Sequence, residues 1–146
     1  MKTVLITGGS RGIGSACARI FSENGYNVAV NYFTSEKKAL ALASELKNCA
    51  VFRADVSDRS QVDKMISDIK SRFGSVDILI NNAGTQNEDD IDINLKALIH
   101  ITEKYGVQKN IKSILNIGSA SGHTGSEFPY YCASKGGVIS YTKNVA

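Results

Sequence analysis

Short runs of apolar, mostly β-branched residues alternate with longer segments of helical periodicity along this chain. The five short runs lie at residues 3–6, 27–32, 50–53, 76–80 and 113–117. Strands that alternate with helices are joined by right-handed crossovers and pair in parallel. Near-continuous apolar strands are typical of a sheet that is covered on both faces. The alternation therefore predicts an α/β fold with a parallel sheet of at least five strands between two layers of helices.

Apolar residues at spacings of three and four predict five helices. The first is expected to bury Ile13, Ala16, Cys17, Ile20 and Phe21, and the single proline, Pro129, is expected in a loop. The five helices are expected over residues 12–24, from a cap at Ser35 to about 47, from a cap at Ser57 or Asp58 to Gly74, over about 88–105, and from about Tyr131 to the end.

Size and composition limit the classes of protein to which the chain can belong. Its 146 residues, 42% hydrophobic and 21% charged, predict a single globular domain over residues 1–146. The net charge of +3 is scattered, which argues against a nucleic-acid-binding surface. The apolar run at residues 4–6 is too short for a signal peptide or a membrane span, so no membrane partner and a cytoplasmic location are expected.

The three cysteines, Cys17, Cys49 and Cys132, are widely spaced and form no CxxC pair. This spacing argues against a disulfide framework and against a zinc site, so no metal site is expected. It suits a reducing compartment.

A glycine-rich segment, Thr7-Gly8-Gly9-Ser10-Arg11-Gly12-Ile13-Gly14, lies between the first predicted strand and the first predicted helix. Glycines let the backbone turn sharply and approach a diphosphate, and the helix N-terminus then offers free N–H groups to the anion. The pattern G-x-x-x-G-x-G differs from the more widespread GxGxxG. A glycine turn that only packs a helix on a strand is the alternative, but the position at the first βα turn favours a dinucleotide site.

The end of the second predicted strand bears on which dinucleotide would bind. An acid at this place binds the ribose 2′-hydroxyl of NAD, whereas this chain has Asn31-Tyr32-Phe33 there. Arg11 stands in the glycine-rich segment, and Lys37 and Lys38 follow the strand. An uncharged strand end beside cations suits a 2′-phosphate and favours NADP(H), although the two lysines can equally belong to a solvated helix face.

A second cluster follows the fifth predicted strand. Tyr131 and Lys135 are four residues apart, so on a helix both side chains lie on one face. A nearby ammonium stabilises a phenolate, and a tyrosine activated in this way can exchange a proton with an alcohol or carbonyl oxygen. Ser119 follows the strand end, where ligands of parallel sheets bind, and could hydrogen-bond the same oxygen. A surface pair is the alternative for Tyr131 and Lys135.

Taken together, these motifs resemble those of the short-chain dehydrogenase/reductase family, and most closely its 3-oxoacyl-[acyl-carrier-protein] reductases. The resemblance covers nearly the whole chain and implies a Rossmann-type three-layer sandwich with strand order 3-2-1-4-5. The matching pieces, in the family's order, are 7–14, Asp55-Val56, Asn81-Asn82-Ala83-Gly84, Ile93-Asn94-Leu95, Ser119 and Tyr131-Cys132-Ala133-Ser134-Lys135.

The resemblance also implies a role for each matched residue. Tyr131 would be the general acid, Lys135 would bind the nicotinamide ribose, Ser119 would orient the carbonyl, and Asn94 would hold a water in a proton relay. A capping or packing role is the alternative for Asn94, as is a turn for Asp55. The residues expected around NADP(H) are Gly8, Ser10, Arg11, Gly12, Ile13, Gly14, Asn31, Asp55, Val56, Asn81, Ala83, Gly84, Tyr131 and Lys135.

Two departures from the family pattern leave the function open. The 37 positions from Asn82 to Ser119 are fewer than in the family, which shortens the segment before the fourth helix, and the family's C-terminal substrate-binding part is absent from residues 1–146. One hypothesis is an NADPH-dependent reductase acting on a small carbonyl compound or acyl thioester. The other is a truncated nucleotide-binding module or scaffold with little or no turnover. The family also implies a homo-oligomer formed through the fourth and fifth predicted helices.

Overall fold

The sheet of this protein is parallel throughout and has five strands in the order β3-β2-β1-β4-β5. The computed structural model describes all residues from 1 to 146. Helices cover both faces of the sheet, so the predicted three-layer α/β fold and its strand order are confirmed. The strands are β1 (Thr3–Ile6), β2 (Asn27–Tyr32), β3 (Cys49–Arg53), β4 (Ile78–Asn81) and β5 (Ser113–Asn116).

The helices follow the strands in the expected alternation. Between β4 and β5 runs one continuous helix, called here the π–α–π helix (residues 91–106), in which α4 (Ala97–Ile101) is flanked by the π-helical segments Ile91–Lys96 and Thr102–Gly106. Such wide turns often occur at functional sites. The other helices are α1 (Gly12–Glu23), α2 (Glu36–Glu45), α3 (Arg59–Phe73), α5 (Ser121–Thr124) and α6 (Pro129–Val145).

Alternate residues of the central strand β1 feed two separate cores. Leu5 packs with α3 and the π–α–π helix on one face, whereas Val4 and Ile6 pack with Ala18 of α1 and Leu42 of α2 on the other. All three β1 side chains are fully buried. At about 25 cal/mol per Å² of apolar surface, this double burial anchors the strand whose end carries the glycine-rich segment.

The predicted buried face of α1 is correct for Cys17 and Phe21, which pack against the core, and wrong for the other residues. Ile13 and Ile20 are 60% and 59% exposed, whereas Gly14 and Ala18 are buried. Small residues face the sheet because the start of α1 approaches the ends of β1 and β4 too closely for larger side chains. The periodic isoleucines therefore lie on the outer surface and at the rim of the cleft described below.

Other boundaries also differ from the prediction. Pro129 is not in a loop but opens α6, where a missing N–H costs no hydrogen bond. β4 begins two residues later than expected, at Ile78, and the fourth helix begins at Ile91 rather than at residue 88. The short helix α5 was not predicted, because four residues are too few to show a helical period.

Asp58 caps α3, and Ser35 makes no side-chain cap bond to α2. Hydrogen bonds to Asp58 from the Gln61 N–H, the Ser60 hydroxyl and the Gln61 amide hold the pKa of Asp58 below its usual 3.8. A lowered pKa stabilises the fold above pH 3.8, and this stabilisation is lost as the pH falls through the folded-state pKa. We therefore expect Asp58→Ala to lower Tm at pH 7 and to lower it by less in acid, measured by circular dichroism.

The matched control for this prediction is Asp58→Asn, since asparagine caps helices about as well as aspartate but does not titrate. We expect its Tm at pH 7 to be close to that of the unmodified protein. An Asp58→Ala variant with an unchanged Tm at pH 7 would contradict the assignment of the cap.

Candidate functional site

A cleft of about 650 Å³ opens at the carboxyl ends of the strands, between the segments that follow all five strands and the start of α6. Its volume is in the range of small-molecule and cofactor sites. The predicted site residues that line it are Gly8, Ser10, Arg11, Gly12, Ile13, Asn31, Asp55, Val56, Ala83, Gly84, Tyr131 and Lys135. The structure thus brings the glycine-rich segment and the Tyr131–Lys135 pair to one cavity.

The glycine-rich segment is held against β4 at contact distances that only glycine permits. Gly8 has a φ of +60°, and a Cβ there would lie 2.8 Å from the Cα of Ala83. A Cβ on Gly14 would lie 2.6 Å from Nδ2 of Asn82. The loop is therefore shaped by close backbone packing, with its outer side left open to the cleft.

Side chains with amide or hydroxyl groups fix this loop from beneath. The Asn82 Nδ2 group donates to the carbonyl oxygens of Thr7 and Gly8, at 3.0 and 2.9 Å. Thr7 Oγ1 accepts from the N–H groups of Asn82 and Ala83, and Asn31 Oδ1 accepts from Gly8 N–H. These bonds tie the ends of β1, β2 and β4 into one rigid edge.

The N-terminus of α1 supplies an anion-binding end. The first N–H groups of any helix have no intrahelical partner and carry the positive end of the helix dipole. In α1 no side chain of the N-cap residue accepts from them. Arg11, the residue before the helix, is exposed and takes part in none of the four ion pairs. This arrangement suits a phosphate group.

The other end of the cleft follows β2 and β3. Phe33, Thr34 and Ser35 line it, whereas Lys37 and Lys38 are exposed on α2 and do not. Asp55 lines the cleft too, and its Oδ1 accepts from the N–H and the hydroxyl of Ser57 at 2.9 and 2.7 Å. Of the three cations considered for a 2′-phosphate, only Arg11 lines the cleft.

Tyr131 and Lys135 lie one turn apart on α6, as predicted. The Lys135 Nζ atom is 5.9 Å from the centre of the Tyr131 ring and donates to the carbonyl oxygen of Ile117 at 2.8 Å. Lys135 is 6% exposed, and burial holds the pKa of its ammonium below the usual 10.5, although the charge of Asp90 opposes this effect. The pair is therefore a phenol and a buried cation, both facing the cleft.

Four predicted site residues do not line the cleft. Gly14 and Asn81 are buried beneath it, and Asn81 Nδ2 donates to Thr102 and Asn116. Asn94 is 1% exposed: its Oδ1 accepts from Thr85 N–H, and its Nδ2 donates to the Thr85 carbonyl and to Ser134. A water-holding role for Asn94 therefore stays a prediction, and the contacts of its side chain are those of a packing residue.

Ser119 is half-buried just beyond β5, and its hydroxyl oxygen accepts from Ser121 N–H at 3.2 Å. This bond leaves the hydroxyl proton free to donate to another group. Ser119 thus lies at the predicted sheet edge but outside the cleft wall formed by Tyr131 and Lys135.

Several lining residues were not singled out from the sequence, among them Phe33, Thr34, Ser35, Thr85 and Gln86. All of them lie in the segments that follow β2 or β4. Their position after a strand end was the available signal, because ligands bind at the carboxyl edge of a parallel sheet. None of the helices is long and apolar enough to cross a membrane.

Comparison with known proteins places this fold and site in a family. The short chain dehydrogenase family model matches residues 2–146. The 3-oxoacyl-[acyl-carrier-protein] reductase FabG of Staphylococcus aureus (strain Mu50) is 39% identical over 165 aligned positions, which include 99% of this chain and 67% of that protein. The Haemophilus influenzae reductase of the same name is 35% identical, with 99% and 66% covered.

Solved structures give the same relationship. A short chain dehydrogenase from Bacillus anthracis superposes with a TM-score of 0.89 at 29% identity, over 99% of this chain and 68% of that one. A dehydrogenase/reductase from Sinorhizobium meliloti superposes with a TM-score of 0.89 at 28% identity, over 99% of this chain and 65% of that one. The chain thus spans about two thirds of the length of these relatives. It belongs to the short-chain dehydrogenase family.

Proposed function

We propose that this chain binds NADP(H) and acts as an NADPH-dependent reductase of a carbonyl compound, with a 3-oxoacyl thioester as the candidate substrate. The observation that carries the proposal is one cleft lined by both the glycine-rich segment and the Tyr131–Lys135 pair. The relatives named 3-oxoacyl-[acyl-carrier-protein] reductase support the substrate class. The whole of residues 1–146 acts as one nucleotide-binding unit in this proposal.

The residues of the cleft fit such a cofactor. The uncapped N-terminus of α1 and the positive-φ Gly8 leave room and N–H donors for a diphosphate. Arg11 offers a cation for a 2′-phosphate, and no acid occupies the end of β2, where Asn31 is buried and hydrogen-bonded within the sheet edge. When bound, NADPH would supply the hydride that reduces the carbonyl carbon.

The chain's own residues supply the proton and its control. Tyr131 donates its phenolic proton to the carbonyl oxygen of the substrate as the alcohol forms. Lys135 stabilises the resulting phenolate and holds the ribose end of the cofactor with its ammonium. Ser119, whose hydroxyl proton is free, donates a hydrogen bond to the same oxygen once substrate is bound. Reprotonation of Tyr131 from solvent completes the cycle.

A second candidate function is a nucleotide-binding module without turnover. The position of Ser119 favours it, because Ser119 does not line the cleft that Tyr131 and Lys135 face. Titration of the chain with NADPH, followed by NADPH oxidation in the presence of an acetoacetyl thioester, separates the two. Binding with oxidation supports the reductase, binding alone supports the module, and no binding refutes both.

The choice of cofactor gives a sharper prediction. We expect Arg11→Ala to weaken NADPH binding by about 10- to 100-fold, because a charge-assisted hydrogen bond to a phosphate contributes roughly 1.5–3 kcal/mol. NADH, which has no 2′-phosphate, should lose much less affinity. Calorimetric titration with both cofactors measures the difference, and equal losses would count against NADP(H).

The matched control for Arg11 is Lys37→Ala. Lys37 carries the same charge but is exposed on α2 and does not line the cleft. Its removal should leave both dissociation constants within about twofold at moderate ionic strength, since exposed charges are screened over about 10 Å.

The relationship to the family also supports a homo-oligomer formed through the π–α–π helix and α6. These two helices are adjacent, with Tyr141 of α6 donating to Glu103 at 2.6 Å. Light scattering coupled to size exclusion tests this part of the proposal, and a monomer at all concentrations would refute it.

A further inference from the structure

Asp90 is a completely buried aspartate at the start of the π–α–π helix. Its sequence neighbours Glu88 and Asp89 are exposed, so the acidic run at this point is not a uniformly solvated surface. Burial of a carboxylate is costly unless hydrogen bonds or an opposite charge compensate for it. A group retained at such cost needs an explanation in the structure around it.

One carboxylate oxygen of Asp90 holds the wall of the cleft. Its Oδ1 accepts from the Thr85 hydroxyl at 2.7 Å and from Asn87 N–H at 2.9 Å. Thr85 itself lines the cleft. The other oxygen, Oδ2, is buried and has no hydrogen-bond donor within the chain. Its negative charge is therefore left without a direct hydrogen-bonded partner.

Hydrogen bonds connect this wall to the helix that carries Tyr131. Thr85 N–H donates to Asn94, and Asn94 Nδ2 donates to Ser134 Oγ at 3.2 Å. Ser134 in turn donates to the carbonyl oxygen of Tyr131 at 2.8 Å. Asp90 thus stands at the base of a continuous network beneath the Tyr131–Lys135 pair, and Lys135 directly follows Ser134.

Charge gives a second link between Asp90 and the pair. Lys135 is buried, is in no ion pair, and has only the Ile117 carbonyl as a hydrogen-bond acceptor. Burial lowers the pKa of Lys135. The negative charge of Asp90 opposes this effect and raises the pKa of Lys135.

We propose that Asp90 is a positioning residue for the Tyr131–Lys135 pair, a buried carboxylate that fixes the cleft wall at Thr85 and acts as a counter-charge to the buried Lys135. Its relevance to catalysis rests on the proposed function, because Lys135 matters there as a cation. The charge coupling itself is a property of the folded chain and does not depend on turnover.

The decisive variant is Asp90→Asn, which removes the charge and keeps an oxygen that can accept from Thr85 and Asn87. The titration of Lys135 is followed by the 13C shift of its ε-carbon in lysine-labelled protein without cofactor or substrate, and the signal is assigned with Lys135→Arg. We expect the pKa of Lys135 to fall in Asp90→Asn, since loss of an opposite charge disfavours the ammonium.

Asp89→Asn is the matched control, since it makes the same change of charge one residue away on an exposed side chain. It should leave the titration of Lys135 unchanged. Asp90→Ser, a smaller neutral side chain, replaces Asp90→Asn if the latter has no cooperative unfolding transition. A Lys135 titration at the same pH in the neutral variant and the unmodified protein would overturn the proposal.

Activity gives an independent readout. In Asp90→Asn the alkaline limb of the kcat profile, which reports ionisations in the substrate complex, should move to lower pH. A merely structural role would lower kcat equally at every pH and leave the limb in place, which would refute the counter-charge. If the chain shows no turnover at all, the NMR result still decides the proposal on Asp90, and only the proposed reductase function fails.

Discussion

Tyr131→Phe is expected to lower kcat for NADPH-dependent carbonyl reduction by about 10²- to 10⁴-fold, the usual contribution of a positioned general acid. The variant loses a single oxygen atom. The ring stays in place over Lys135, whose Nζ is anchored by the Ile117 carbonyl and not by the phenol. NADPH affinity should therefore change little, and the loss should appear in kcat. Stopped-flow NADPH oxidation and a separate binding titration measure the two quantities.

Tyr130→Phe is the matched control for this prediction. Tyr130 precedes Tyr131 in the same turn of α6, but its side chain is 53% exposed and does not line the cleft. Its hydroxyl should be dispensable for turnover. A Tyr131→Phe variant as active as Tyr130→Phe would remove Tyr131 from the mechanism, whereas loss of NADPH binding in Tyr131→Phe would indicate a structural fault.

Most of the architecture could be predicted because the sheet is buried on both faces. Val4, Leu5 and Ile6 are all fully buried, so the strand is apolar at every position and easy to recognise between helical segments. The residues at the strand ends were predictable for the same reason. Once the strands are known, the edge at which Gly8, Ala83 and Tyr131 meet follows from the parallel connections.

Close backbone approach was not predictable from periodicity. The isoleucines of α1 suggested a buried face, yet Gly14 and Ala18 face the sheet because the helix starts in contact with the glycine-rich segment. Hydrophobic periodicity records where large apolar side chains recur, whereas a close crossing selects small ones.

The burial of individual polar residues was also not predictable from the sequence. Asp90 stands in a run of acids that indicates a solvated surface, and only the folded chain shows it completely buried. Thr7 likewise looks like an ordinary loop residue, although its hydroxyl accepts two N–H groups of the segment after β4. The partners of Thr7 lie more than 70 positions away in the sequence. No local sequence pattern encodes a contact over such a distance.

Gly14→Ala is expected to weaken NADPH binding by more than about tenfold and to destabilise the fold by roughly 1–3 kcal/mol, the usual cost of overpacking. Two effects oppose each other at this position. Alanine is a better helix former than glycine by about 1 kcal/mol, which alone would stabilise α1. The added Cβ, however, would lie 2.6 Å from Asn82 Nδ2 and 2.7 Å from the Gly8 carbonyl oxygen. Because Asn82 already donates to Thr7 and Gly8, relief of this contact must displace the loop itself.

Gly25→Ala separates displacement of the loop from a general loss of stability. Gly25 has a φ of +79° with open space around it, so alanine there costs about 1–2 kcal/mol of backbone strain without touching the cleft. Both variants should unfold at lower urea concentration, but only Gly14→Ala should lose NADPH affinity in a titration performed well below either transition. Unchanged affinity and raised stability in Gly14→Ala would mean that the start of α1 does not pack against Asn82. The assignment of the glycine-rich segment as the diphosphate site would then be contradicted.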